Sequence, residues 1–173
     1  MARESTATLI FSIAGLIGAW ISDADWSVRL PTAMFYAVLV LNTFYSVRFF
    51  SLLPPLNRDE RVIDGVLAII YIVLAFSIGS VVLFSFVSMM LFAAATTKYI
   101  LLLGIVERTD ILRRKIAIDT LGLALCTATF AGAILGYPLA SAWLQAGIFV
   151  VANVYLLAIR PMYALGPSRP GGE

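Results

Sequence analysis

The sequence contains no histidine and a single cysteine, and only 13% of its residues are charged. Without imidazole there is no histidine ligation of haem or bacteriochlorophyll and no His-based zinc site. Ser-His and Cys-His nucleophile pairs and histidine proton relays are excluded with them. A lone Cys126 cannot close an intramolecular disulfide, so thiol redox shuttling within the chain is excluded as well. It reads as a small apolar filler inside a helix. Soluble domains carry about 25% charged and about 45–50% apolar residues. Here apolar types reach 61% and mean hydropathy is +0.97 over 173 residues. That balance argues against a water-soluble globule and against intrinsic disorder. Six apolar spans of ~20 residues would use ~120 positions and leave ~50 for loops and tails.

The chain reads as an all-α integral membrane protein with six transmembrane helices in three αα-hairpins. The first apolar run covers 6–22 and is broken by Ser22-Asp23-Ala24-Asp25. The run also resembles a cleaved signal peptide, but Glu4 cancels Arg3 and leaves the charged flank weak, so a retained helix is expected. The second run covers 30–53, with Pro31 suited to a first helical turn. A polar loop follows, from Pro54-Pro55 to Arg61. Residues 65–97 then hold no charge at all. As one helix they would extend about 50 Å, well beyond a ~30 Å hydrocarbon core, so the run must fold back. Ser77-Ile78-Gly79-Ser80 is the best turn, which gives helices over 62–79 and 81–106. A loop over 107–115, a helix over 116–136, a Tyr137-Pro138 turn and a helix over 139–159 complete the set. One domain spans 1–165, and the Gly- and Pro-rich 166–173 reads as a flexible cytoplasmic tail.

Charge placement sets the orientation. Arg3, Arg58, Arg61, Arg108, Arg113, Arg114, Lys115, Arg160 and Arg169 all fall on the side of the termini and the two longer loops. The opposite side has Arg29 and short turns. The positive-inside rule therefore predicts cytoplasmic N and C termini in a multi-pass cell-membrane protein. Trp20, Trp26 and Trp143 fall near the other ends of their segments, as an interfacial belt requires. The aromatics of the second helix, from Phe35 and Tyr36 to Phe49 and Phe50, read as packing or lipid-facing groups. A repeat of about 55 residues is also legible: Asp64 and Asp119 both open helices that start from the cytoplasmic side, and Asn42, Thr97 and Asn153 recur at nearly the same interval.

Ionisable and amide groups at membrane depth are the functional candidates, because such groups are costly there. Arg48, near the end of helix two, can snorkel or meet Asp64 on helix three. Asp64 and Asp119 sit in first turns, where acidic groups also complement the helix dipole. Lys98 lies about 12 Å inside helix four. A short connection makes helices four and five neighbours, so Lys98 is expected to pair with Asp119. Asn42, Lys98, Asp119 and Asn153 form the candidate polar interior; Gln145 is a further amide at depth. Gly132 and Gly136 have GxxxG spacing and, with the Ala- and Thr-rich runs near 93–97 and 127–133, permit close helix approach.

Two classes of function follow, and the recurrence of charges and amides across several helices favours the first. One is a small channel or transporter for a small solute or ion, with the polar interior lining its path. The other is a non-catalytic membrane subunit or scaffold, packed with a partner subunit or as a homo-oligomer. A continuous polar cavity marks the first and a dry packed interior the second. An enzyme is not expected: Asp23 with Asp25, and the loop acids Asp59, Glu60, Glu107 and Asp110, match no metal-diphosphate spacing. No cofactor, catalytic residue, metal site or nucleic-acid partner is expected; the partner is the lipid bilayer, and the basic segment 108–115 suits anionic headgroups.

Overall fold

The computed structural model describes residues 2–50, 58–103 and 109–159. It is all-helical, with six α-helices in chain order. They are α1 (Ala2–Ile21), α2 (Trp26–Phe50), α3 (Arg58–Phe76), α4 (Val81–Leu103), α5 (Thr109–Ile134) and α6 (Pro138–Val154). A π-type turn, Tyr155–Ile159, prolongs α6. Four segments are long and apolar enough to cross a membrane: Trp26–Phe49, Val81–Leu103, Asp110–Ile134 and Pro138–Ile159. The chain is on that ground a membrane protein. The other two helices fall short for visible reasons. The apolar part of α1 is Ser5–Ile21, and α3 opens on Arg58, Asp59, Glu60, Arg61 and Asp64.

The fold-back within 65–97 falls where small residues predict it. Ser77 and Ile78 donate backbone bonds to the carbonyls of Leu74 and Ala75, and Gly79 adopts φ 135°. A Cβ resists that backbone conformation. The turn before α6 uses the same device, with Gly136 at φ 96° and Pro138 at the first helical position. Several helices start earlier than the sequence expectation: α1 at Ala2, α3 at Arg58, and α2 and α5 as follows. Pro31 lies in the second turn of α2, because the helix starts at Trp26; Arg29 caps α1 by donating to the Ser22 carbonyl at 3.2 Å. The larger difference is that α5 begins at Thr109, so Arg113, Arg114 and Lys115 are helical and not loop residues. The expected tail over 166–173, and the basic residues Arg108, Arg160 and Arg169, lie outside the described residues.

The even-numbered helices meet at the centre. Phe35 of α2, Phe84 and Phe92 of α4, and Phe149 of α6 interlock there, with Phe149 lying 4.2 Å from Phe35 and 6.0 Å from Phe92 between ring centres. The odd helices lie outside them. The α4–α5 interface is the most extensive, and α5 also packs on α6; α3 packs on α4, while α1 packs on both α2 and α3. Three related helix pairs would place α1 between α6 and α2. Instead α1 lies beside α3, and the packing departs from the 55-residue spacing at that point. The outer surface is apolar: Trp20, Leu16, Leu121, Leu135 and Val151 are each at least 70% exposed. A water-facing protein does not carry so continuous an apolar surface.

Two glycines give opposite expectations. A methyl group on Gly18 would run into the Ala75 carbonyl, so backbone contact between α1 and α3 depends on its absence. Gly65, in α3, has nothing near its missing Cβ. Gly18→Ala should destabilise by about 1–3 kcal/mol as an overpacked site. Gly65→Ala should be neutral or stabilise by about 0.5–1 kcal/mol through helix propensity. Thermal unfolding in detergent compares the two.

Candidate functional site

The interior polar groups form two layers, identified by the helix ends that flank them. One end of the bundle carries the tight turns near 22–25, 77–80 and 135–137. Val28, Val81, Ala133 and Ala142 pack together there. The other end carries the longer connections after α2 and α4.

In the layer nearer the tight turns the Gln145 amide is satisfied, while the Ser88 hydroxyl, one turn beyond Ser85 on α4, is covered and has no partner. Gln145 of α6 accepts from the hydroxyls of Ser85 on α4 (2.7 Å) and Thr129 on α5 (3.0 Å) through its Oε1. Its Nε2 donates towards the Cys126 sulfur at 3.6 Å. Gln145, Ser85, Thr129 and Cys126 are all fully buried. One amide thus joins three helices, as buried amides in hydrocarbon commonly do. The single cysteine is the small buried filler its sequence context predicts, with this one polar contact.

The second layer lies towards the longer connections and contains the charges. Lys98 of α4 forms a salt bridge with Asp64 of α3. Asp119 forms one with Lys115, four residues earlier on its own helix, at 2.7 Å. The expected partnership of Lys98 with Asp119 is therefore corrected. The Asp64 carboxylate, expected to meet Arg48, takes Lys98; Arg48 is exposed near the end of α2. The reason is the early start of α5. Asp119 lies ten residues into the helix, not three, and that places it about 15 Å from the helix start. Lys115 comes along as a helical neighbour one turn away, where (i, i+4) side chains meet. Lys98 projects towards the other neighbour of α4. Hydroxyls complete the layer. Ser46 and Tyr99 join α2 to α4 at 3.0 Å and Thr43 and Tyr71 join α2 to α3, while at the level of the aromatic centre Tyr36, beside Phe35, donates to the Phe11 carbonyl on α1 at 3.0 Å. The Lys115 ammonium lies 5.5 Å over the Tyr99 ring.

The four residues expected to line one interior are thus divided. Asp119 and Asn153 are buried at 1% and 3% exposure, on adjacent helices. Asn42 is half-buried on α2. Lys98 is committed to α3. Sequence reasoning missed Lys115, which the expected loop over 107–115 had placed in solvent. The signal available was its (i, i+4) spacing to Asp119. The described residues contain no cluster of three or more His, Cys, Asp or Glu able to hold a metal.

The chain matches no known family model, no curated protein and no solved structure.

The corrected pairing has a direct test. In a double-mutant cycle in detergent, Lys98→Met and Asp64→Leu should couple by about 1–3 kcal/mol, between the values for exposed and buried pairs. Lys98→Met and Asp119→Leu should be additive within about 0.5 kcal/mol.

Proposed function

We propose that this chain is a non-catalytic membrane subunit or scaffold with six spans arranged as three hairpins, and that it packs with a partner subunit or a second copy in the cell membrane. The observation that carries this reading is the aromatic centre. Phe35, Phe84, Phe92 and Phe149 fill the space where α2, α4 and α6 meet, each at most 6% exposed. An open conduit is lined by polar groups or water, and an apolar constriction closes it. Here the path along the centre is blocked by interlocked rings. The polar groups above and below it bind helix to helix: Gln145 to α4 and α5, Lys98 to α3, Ser46 to Tyr99. Such bonds fix packing in hydrocarbon.

The outer coat supports the same reading. α5 packs on both α4 and α6, but no odd-numbered helix of the described residues packs extensively on both α2 and α6. Partner contact through lipid is the natural use of a chain with so little outside the bilayer. Helices α1 and α3 span as the companions of α2 and α4, which bring them to membrane depth despite shorter apolar stretches. The basic residues near the longer connections support cytoplasmic termini by the positive-inside rule.

A second reading, transport of a small solute or ion, draws on one observation. Lys115 and Asp119 are charged groups buried deep in the bundle, and intramembrane ionisable pairs mark ion pathways often enough to be weighed.

Two measurements test these readings. Reporter fusions at Pro55, at Asp110 and at the C terminus should all report cytoplasm; a signal from the opposite side at Asp110 would refute six spans. On a Cys126→Ala background, cysteines at 42, 98 and 153 should resist a membrane-impermeant thiol reagent applied from either face. Labelling of all three from the cytoplasm favours the conduit and overturns the packed subunit.

A further inference from the structure

The Asp119 carboxylate is half satisfied. Its Oδ1 accepts from Lys115, but its Oδ2 is fully covered by protein and has no hydrogen-bond partner. Asn153 is in the same condition. Its Nδ2 donates to the Phe149 carbonyl at 2.9 Å, which fixes the amide orientation, and its Oδ1 is covered and unpartnered. Both atoms are acceptors, so each lacks a donor.

The packing registers bring the two residues to one level. On the α5–α6 interface Gly132 lies against Ser141, and Thr129 bonds to Gln145. Counting away from that contact in opposite directions, Asp119 is thirteen residues from Gly132 and Asn153 is twelve residues from Ser141. On the α4–α5 interface Gly122 lies against Phe92, and three residues back on α5 meets four residues on along α4, at Thr96. The Thr96 hydroxyl is a third covered polar atom with no partner. Three helices therefore bring unpaired oxygens to one depth, where among the described residues the charge in contact is Lys115. A covered site has no room for a hydrated ion. A proton needs no room.

We propose that Asp119 is a proton-binding site, in which Oδ2 takes up one proton and, as a neutral acid, donates to Asn153 Oδ1 while Lys115 is released. The proton comes from water at the end of the bundle that carries the longer connections. A lone pair on Oδ2 forms the new O–H bond; nothing is oxidised, and Lys115 keeps its own protons. Lys115 has a second resting place, because its ammonium already lies over the Tyr99 ring. It is six residues from the start of α5, within reach of that end by snorkelling.

Among the described residues the other charged or titratable groups around the site are few. α5 packs on α4 and α6. From α4 come Tyr99, beneath Lys115, and Lys98, held by Asp64. From α6 the described residues offer Tyr155, which is exposed. On α5 itself Asp110, Arg113 and Arg114 are exposed. None of these competes for the Asp119 proton. This site goes beyond a packing role, since packing alone does not require an acceptor left open.

The test is infrared difference spectroscopy on the full chain in phosphatidylcholine–phosphatidylglycerol nanodiscs, between alkaline and acid buffer. A carbonyl-stretch band of a protonated, buried carboxylic acid should appear on acidification. It should be lost in Asp119→Asn and retained in Asp110→Asn. In Asn153→Leu, which leaves Asp119 in place, the band should move to higher frequency as its hydrogen bond is lost. A spectrum with no such band, a band that survives Asp119→Asn, or a frequency unmoved in Asn153→Leu would each overturn the proposal.

Discussion

An unpaired charge in hydrocarbon is costlier than any single apolar contact is favourable, and the arrangement of this bundle follows from that asymmetry. Between helices, lipid supplies no net hydrophobic drive, because its tails are as apolar as the side chains they would replace. Close packing and polar satisfaction are left to select the neighbours. Gly18 lets α1 reach the α3 backbone, Gln145 draws α4, α5 and α6 together, and Lys98 commits α4 to α3. Where the polar groups are matched, the helices are locked. Where one is not, at Asp119 and Asn153, the structure holds a group that can change state.

The two polar layers differ in kind. The Gln145 layer is neutral, and every side-chain contact in it is between uncharged groups. It can be buried beside the tight turns at modest cost, since Gln145, Ser85 and Thr129 each find a partner within three helices. The charged layer is placed towards the longer connections, where Lys98 and Lys115 can direct their stems towards water. The aromatic centre separates the two over much of the interior, with Phe92 lying against Gly122 and Phe149 between Phe35 and Phe92. A molecule built this way holds its charges towards one end and packs apolar rings in the middle.

The tertiary contacts also explain why an apparent repeat in sequence need not be a repeat in packing. Asp64 and Asp119 stand 55 residues apart, yet one is answered by a lysine from the neighbouring helix and the other by a lysine from its own. Neither is a first-turn acid in the structure: Asp64 lies six residues into α3 and Asp119 ten into α5, beyond the turn over which the helix dipole acts. Their spacing reflects the length of a helix pair, which bilayer thickness sets for any such protein.

Sequence alone determined the class of the molecule, its helices and its turns. Bilayer thickness limits apolar length, and Gly79, Gly136 and Pro138 punctuate the chain by backbone geometry that acts locally. The burial of Cys126 and the interior place of Asp119 and Asn153 were legible for the same reason. The start of α5 was not. Thr109–Lys115 is polar enough to read as a loop, and helix formation there rests on continuity with the apolar turns that follow it. That shift of two turns decided the charge pairs. Which lysine answers which aspartate depends on the rotation and depth of each helix against its neighbours, and a rotation about a helix axis leaves no trace in a linear pattern. Only the assembled bundle fixed it, because only there do Lys98 and Asp64 reach the same depth on facing sides of α4 and α3, while Lys115 and Asp119 are buried together against Tyr99.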